Sequence, residues 1–268
     1  MGLKEQLAGI IPDKDLCHIT NHFDVVGDVA IISIPDELSD YKPLIAREII
    51  SHRKNIYTVL NKIAKVAGDT RAAGYEILAG DTTVTLHGEF GFAYRLDVRT
   101  VFFNTRLAYE RMRVIDQVES GERVFVPFCG VGPFAIPAAA KGAQVVAVEQ
   151  NPDAYLWLEE NVSLNKVRKN ITTIHGDAFD IGMLPHRQFD RIIIPAPYGM
   201  DRILDILSPL AVHGGMIHFY TFKTRNEIPV LIEEYVQKGF DITYYNTCGN
   251  VAPGVSRWVF DLVYSPRP

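Results

Sequence analysis

The stretch Val124-Phe-Val-Pro-Phe-Cys-Gly-Val-Gly-Pro-Phe-Ala-Ile-Pro-Ala-Ala-Ala-Lys-Gly142, followed by Gln144-Val-Val-Ala-Val-Glu149 and Asn151-Pro152, reads as a strand, a glycine turn, a short helix and a second strand ending in an acid. Gly130 and Gly132 let the backbone approach a ligand where a Cβ would collide. An acid at the tip of the following strand, Glu149, is placed to accept both hydroxyls of a ribose. The pattern points to a nucleoside ligand, and to an adenosine cofactor in particular.

The turn is not a dinucleotide fingerprint. From Gly130 it runs Gly-Val-Gly-Pro-Phe-Ala, without the third glycine of G-x-G-x-x-G. Pro133 falls in the first helical turn, where it has no N–H to offer a pyrophosphate. The spacing suits S-adenosylmethionine, whose methionine end needs room and backbone contacts but no polyanion cradle. The alternative is a plain parallel-sheet turn with no ligand, since fold alone does not imply function.

Outward from this turn, strands and helices alternate. After Gly121 the strands are expected at Val124 to Pro127, Val145 to Val148, Ile171 to His175, Arg191 to Pro195, Met216 to Thr221, Asp241 to Asn246 and Arg257 to Tyr264. Helices are expected at Ala135 to Ala140, Pro152 to Asn161, Met200 to Leu210 and Glu227 to Lys238. Such alternation builds a parallel sheet flanked by helices. The last segment, Trp258-Val-Phe-Asp-Leu-Val-Tyr264, follows the turn-rich Ala252-Pro253-Gly254 and is expected as an antiparallel seventh strand. The fold class is therefore α/β, a Rossmann-like class I methyltransferase sheet preceded by a small α+β domain. We place the domains at 1–113 and 114–268.

In the first domain, Val25 to Ile34 reads as a strand or strand pair broken at Gly27-Asp28 and ended by Pro35. Residues 41 to 66 place Leu44, Ile45, Ile49, Ile56, Val59, Leu60 and Ile63 at mostly helical spacings, with an interruption around Ser51 to Asn55. Glu76 to Leu78, Val84 to His87 and Phe92 to Val98 read as a small antiparallel sheet.

Composition sets wider limits. With 268 residues, 47% hydrophobic and 22% charged, the chain is long enough for a sizeable core. It has no apolar run long enough to span a membrane, and Met1-Gly-Leu-Lys-Glu lacks the features of a secretion signal, so a cytoplasmic protein is expected. Cys17, Cys129 and Cys248 lie far apart and form no C-x-x-C pair, which argues against zinc or a disulfide frame. Cys129 is read as a small filler. The net charge is −5, yet the segment Lys42 to Arg71 alone is +5. Arg95, Arg99, Arg106, Arg111 and Arg113 continue that trend. A local basic patch can steer a polyanion although the whole molecule is acidic; a solvated helix face is the bland alternative.

Several motifs in order carry a family resemblance. Cys129 to Gly142, Asn151-Pro-Asp-Ala154, Glu160-Asn-Val-Ser-Leu-Asn-Lys166, Phe103-Asn-Thr-Arg-Leu-Ala-Tyr-Glu-Arg-Met-Arg113 and Gly215-Met-Ile-His-Phe-Tyr-Thr221 resemble the archaeal and eukaryotic tRNA (guanine-37-N1)-methyltransferases. The similarity runs from about Gly27 to Asp261. The sister group, the aminocarboxypropyltransferases of wybutosine synthesis, shares the architecture and also resembles the Ala252-Pro-Gly-Val255 end. Gly-Pro-Phe-Ala and Arg-Leu-Ala-Tyr-Glu-Arg favour the methyltransferase side.

The resemblance implies a tRNA substrate bound at its anticodon region and S-adenosylmethionine as cofactor; no metal, no membrane and a monomer are expected. It places the proton-removing base on Glu110 and the cation stabilising O6 on Arg71. The alternative for Glu110 is a helix-surface carboxylate paired with Arg106 or Arg113, and for Arg71 a phosphate contact. On the cofactor side it implies Arg111, Phe128, Gly130, Gly132, Glu149, Asp177 and Pro195; on the substrate side, Arg106, Pro197 and Tyr198. Asn161 and Asn165 are read as helix-end caps. Two departures stand out. Val126 followed by Pro127 replaces a frequent acid, and Pro195-Ala-Pro-Tyr-Gly199 stands where the family shows Asn-Leu-Pro or Asn-Pro-Pro. The proline-rich version resembles archaeal members that also act on the tricyclic wyosine precursor. An extra N-terminal module that inspects the tRNA elbow is not expected. Aminocarboxypropyl transfer and a catalytically silent tRNA-binding homologue remain the rival readings.

Overall fold

The computed structural model describes residues 2–63, 74–185 and 188–265. The chain forms two compact units, Met1–Thr105 and Arg106–Pro268. The Arg106 to Arg113 run, which the sequence reading assigned to the first domain, thus opens the second. The reason is its side chains: Arg113 donates to Asp261 at 2.6 Å, 148 residues further on and inside the second unit.

The first unit begins with the short helices α1 (Leu3–Leu7) and α2 (Asp13–Leu16) and the hairpin β1 (Asp24–Val26) and β2 (Val29–Ile32). Helix α3 (Lys42–His52) crosses to β3 (Thr58–Lys62), parallel to β2, and β4 (Tyr75–Ala79) pairs antiparallel with β3. The sheet order is β1-β2-β3-β4. Strands β5 (Val84–Glu89) and β6 (Phe92–Asp97) form a separate two-stranded hairpin. Leu3 and Leu7 of α1, Ile45, Ala46 and Ile49 of α3, and Ala30, Ile32 and Val59 of the sheet close one core.

Two expectations are corrected here. Residues 41 to 66 are not one interrupted helix, because the chain turns to β-structure at Thr58. Thr58-Val-Leu-Asn61 is buried throughout, and a central strand covered on both faces shows a continuous run whose spacing also fits a helix. The small antiparallel sheet is likewise split. Strand β3 is paired on both sides and takes β4 as one neighbour, which leaves β5 and β6 to each other. The hairpin is tied back within the unit where Gly27 meets it. Gly27 N–H donates to His87 Nδ1 (3.1 Å), Asp28 N–H donates to Thr85 Oγ1 (3.0 Å), and a Cβ on Gly27 would lie 2.1 Å from Thr85 Oγ1.

The second unit opens with α4 (Ala108–Asp116) and then alternates: β7 (Arg123–Pro127), α5 (Ala135–Ala140), β8 (Gln144–Glu149), α6 (Pro152–Leu164), β9 (Ile171–His175), β10 (Phe189–Ile194), α7 (Ile203–Leu207), β11 (Ala211–Thr224), α8 (Ile228–Gln237), β12 (Phe240–Ala252) and β13 (Val255–Tyr264). Asn151 caps α6 by accepting from Asp153 N (3.0 Å), with Pro152 in the first turn where its missing N–H costs nothing. The sheet runs β12-β13-β11-β10-β7-β8-β9. Strands β11, β10, β7, β8 and β9 are parallel, and β13 lies antiparallel between β11 and β12. The expected α/β sheet with its antiparallel seventh strand is present.

This order creates the site. The chain leaves β7 toward β8 and β9, then returns to place β10 on the other side of β7. In open α/β sheets a ligand crevice lies beyond the carboxyl ends of strands where the order reverses. Those ends are Pro127 and Ile194, leading into Phe128 and Pro195.

Phe125 of β7 is fully buried and stacks on Phe189 with ring centroids 5.1 Å apart. Phe125→Ala is expected to lower unfolding free energy by about 3–5 kcal/mol, against about 0.5 kcal/mol or less for Leu156→Ala at an exposed position. Urea unfolding of the two variants checks this; equal midpoints would contradict the described core.

Candidate active site

At the end of β7 the backbone takes three consecutive decisions. Phe128 adopts φ 54°, Gly130 φ 56° and Gly132 φ 95°. A phenylalanine in the left-handed region stores of order 1 kcal/mol of strain and is held there by its surroundings. The Phe128 ring packs on the core and lies edge-on to Phe179 at 6.3 Å. The two glycines differ. A Cβ on Gly132 would meet Ile136 and Leu158 at 2.8 Å, so this glycine serves the packing of α5 and α6 against the turn. A Cβ on Gly130 would meet nothing within 4 Å. Gly130 therefore presents bare backbone to open space.

Glu149 binds that turn to the next strand. Its Oε2 accepts from Gly130 N (2.7 Å) and its Oε1 from Asn151 N (2.8 Å). Each carboxylate oxygen keeps a further acceptor direction, so the group can accept a diol while fixing both loops. The buried Asn161 side chain donates to Val131 O (3.2 Å) from α6, bracing the turn from below, and Asn165 donates to Asn161 O (2.8 Å). Asn161 is thus a brace for the glycine turn as well as a residue of the helix end. Asp177, after β9, is exposed and accepts from Phe179 N (3.0 Å), which sets the turn beside the Phe128 ring. Burial, and next the Glu149 carboxylate, push the Cys129 thiol well above its ordinary range, in keeping with a filler that stays protonated.

A second group gathers on α4. Glu110 and Arg113 are three residues apart, and Arg113 donates through Nε to Glu110 Oε2 and through Nη2 to Oε1, both at 2.9 Å. The pairing with Arg113 foreseen as an alternative is present, but the Glu110 side chain is only 12% exposed. It is no solvated surface pair. Tyr220 of β11 donates to Glu110 Oε1 at 2.8 Å. Arg111 is buried on the same helix, and Arg106 is exposed in the turn that precedes it.

Beyond β10, Pro195 and Pro197 are half-buried. Tyr198 is 68% exposed, with its ring 5.3 Å from Phe222, which in turn lies under the Arg257 guanidinium at 5.0 Å. Two rings tilted at 53° and a cation are groups suited to contact a planar base. Of the sequence-expected residues, Phe128, Gly130 and Glu149 are drawn together at the strand tips, and Asp177 accepts from the backbone of Phe179, whose ring meets Phe128. Glu110 stands in the α4 cluster. Arg71 lies outside the described residues. Sequence reasoning missed Tyr220, Arg113 as a partner of two carboxylates, and the pairing ring Phe222. Among the described residues, no group of three or more His, Cys, Asp or Glu side chains is arranged to hold a metal ion, and no helix is long and apolar enough to cross a membrane.

This geometry agrees with what the chain is similar to. Residues 85–243 match the TRM5/TYW2 methyltransferase domain and residues 3–83 the TYW2 N-terminal domain. The tRNA (guanine(37)-N(1))-methyltransferase Trm5b of Pyrococcus abyssi is 40% identical over 79% of the chain, which spans 63% of that relative. The tRNA(Phe) (4-demethylwyosine(37)-C(7)) aminocarboxypropyltransferase of Pyrococcus horikoshii is 30% identical over 97% of the chain and 95% of its own length. Among solved structures, aTrm5 in complex with tRNALeu superposes with a TM-score of 0.89 at 26% identity, covering 99% of this chain and 78% of that one. P. horikoshii TYW2 in complex with MeSAdo gives 0.81 at 28% identity, with 97% of each chain covered. Two domain models laid end to end and a 40%-identical relative leave one assignment: the chain belongs to the TRM5/TYW2 methyltransferase family.

Proposed function

We propose that this protein is an S-adenosylmethionine-dependent tRNA methyltransferase acting on N1 of guanosine 37, beside the anticodon, with a wyosine-type base as a second substrate class. The observation that carries the cofactor half is the crevice itself, where Gly130 opens bare backbone toward solvent and Glu149 holds the turn while keeping acceptor capacity. That arrangement fits a nucleoside ribose, and Phe128 and Pro195 bound it. Asp177 is the proposed partner of the adenine amino group, and Arg111 a further contact on this side. Relatives named for tRNA position 37 support the substrate half. The reading is of a metal-independent monomer in the cytoplasm, with Met1–Thr105 contributing to tRNA recognition.

The bound cofactor supplies an electrophilic methyl group on sulfonium. The protein's own task is the proton. N1 of neutral guanine carries a hydrogen, so the N–H bond must break as the N–CH3 bond forms, and a carboxylate is needed to take that proton. Glu110 is the proposed acceptor. Charge building on O6 needs a facing cation, a role the family resemblance gives to Arg71. Arg106, Pro197 and Tyr198 are proposed to hold the nucleotide, with the Tyr198 and Phe222 rings as a stacking surface.

A second reading, aminocarboxypropyl transfer from the same cofactor, is favoured by one observation: the aminocarboxypropyltransferase relative is matched over 95% of its length and its N-terminal domain model matches residues 3–83. Nucleoside mass spectrometry of G37 and A37 transcripts, and of tRNA carrying a wyosine-type base at position 37, after incubation with cofactor separates the readings. A methyl increment confined to G37 supports the proposal, whereas the larger amino acid increment on a wyosine-type base supports the second.

Two variants test the residues. Glu110→Gln is expected to lower kcat/KM for methyl transfer by about 10²–10³-fold with cofactor binding intact; an unchanged rate removes Glu110 from the chemistry. The Cβ of Gly130→Ala meets no protein atom within 4 Å, so its folding cost is limited to the strained φ, about 1–2 kcal/mol. Its S-adenosylmethionine affinity by calorimetry is expected to fall tenfold or more, about 1.4 kcal/mol. Undiminished affinity would move the ligand away from this turn.

A further inference from the structure

Three neighbouring strands of the second unit bring buried polar side chains together inside largely apolar runs: Arg191 in β10, His218 in β11 and Asp261 in β13. His218 and Asp261 are direct cross-strand partners, and His218 Nδ1 lies 2.7 Å from Asp261 Oδ1. On the other side of the ring, Arg191 Nη1 lies 2.7 Å from His218 Nε2. A guanidinium only donates. Nε2 must then accept, the proton sits on Nδ1, and the imidazole is neutral; burial, the largest influence, pushes its pKa down in agreement. Arg191 is clasped in turn by both Glu122 oxygens (2.8 and 2.9 Å) and by Gln117 O (2.7 Å).

The chain of contacts continues to Glu110. Both Asp261 oxygens accept from Arg113 (2.6 and 3.0 Å), while the same guanidinium donates twice to Glu110. The Tyr244 ring covers Arg113 at 4.3 Å. Counted in ordinary ionisation states, Glu122 cancels Arg191, His218 is neutral, and Asp261 and Glu110 share the single charge of Arg113. Two carboxylates that share one guanidinium repel each other, which favours a proton on one of them. Asp261 is poorly suited to take it. Although burial opposes its ionisation, hydrogen bonds from His218 and Arg113 hold it well below the usual carboxylate range.

The other groups facing Glu110 do not compete. Burial, and next Glu110 itself, push the Tyr220 phenol well up, and the same two influences push the Cys248 thiol of β12 up to about 12, so both remain protonated. Arg111 and Arg257 are the further buried cations on α4 and β13.

Building on the reading of Glu110 given above, we propose that Asp261, held by His218 and Arg191, is a positioning residue for the methyl-transfer reaction: it keeps half of the Arg113 fork engaged, so that Glu110 can accept the proton of N1 while Arg113 stays paired. Neutralising Asp261 turns the whole guanidinium toward Glu110 and holds that carboxylate in its charged form.

The test is the pH profile of single-turnover methyl transfer by the full chain, in wild type, Asp261→Asn and Glu110→Gln, using G37 transcript and S-adenosylmethionine. In Asp261→Asn the acidic limb of the profile is expected to move to lower pH by about one unit or more, with a plateau reduced about tenfold or more. A purely structural role would lower the amount of folded protein and leave the limb where it is. A folded Asp261→Asn variant with an unmoved limb, alongside an inactive Glu110→Gln, overturns this proposal and leaves the preceding reading standing. An unimpaired Glu110→Gln overturns both. Should Asp261→Asn fail to fold, 15N NMR of the wild-type imidazole decides. The Nδ1–H tautomer at neutral pH is expected for His218, and a doubly protonated or Nε2–H ring overturns the proposal.

Discussion

The hydrogen bond from Gly130 N to Glu149 Oε2, 2.7 Å long, ties the turn after β7 to the tip of β8. Parallel strands align the two tips, and the carboxylate then locks the loop into a shape that only glycine adopts without strain at φ 56°. Everything else in the crevice is arranged around that lock. Asn161 supports the turn from α6, Gly132 lets α5 and α6 close against it, and Phe128 is driven into a strained conformation at its rim.

The same unit handles charge in a second way. Strands β10, β11 and β13 are apolar enough to be buried, yet Arg191, His218 and Asp261 sit within them, and these three find one another and then Arg113. Such groups are costly to bury singly and tolerable as a satisfied network. Here two carboxylates, Glu110 and Asp261, meet on the one guanidinium of Arg113, on the helix α4 that carries Glu110.

Much of the fold was legible in the residues. Central strands of a parallel sheet are buried on both faces and read as uninterrupted apolar runs, so Val124 to Pro127 and Val145 to Val148 were located closely. The same property hid β3. Thr58-Val-Leu-Asn61 is a fully buried run whose spacing also satisfies a helix, and only the pairing with β2 and β4 resolves the ambiguity. Strands β11 and β12 extend beyond the expected segments because each pairs along the length of β13, a contact that local periodicity does not contain.

The division between sequence and tertiary structure follows the range of the interactions. Gly130, Glu149 and Pro152 act on neighbours within about twenty residues, and turn chemistry and caps of that kind depend on residue type and spacing, so the linear order determined the nucleoside turn. The partnership of Glu110 and Arg113 with Asp261, and of Asp261 with His218 and Arg191, joins residues up to 148 positions apart. No spacing rule reaches that far. Only the closing of α4 onto three strands, decided by burial of the whole sheet, brings two carboxylates to one guanidinium.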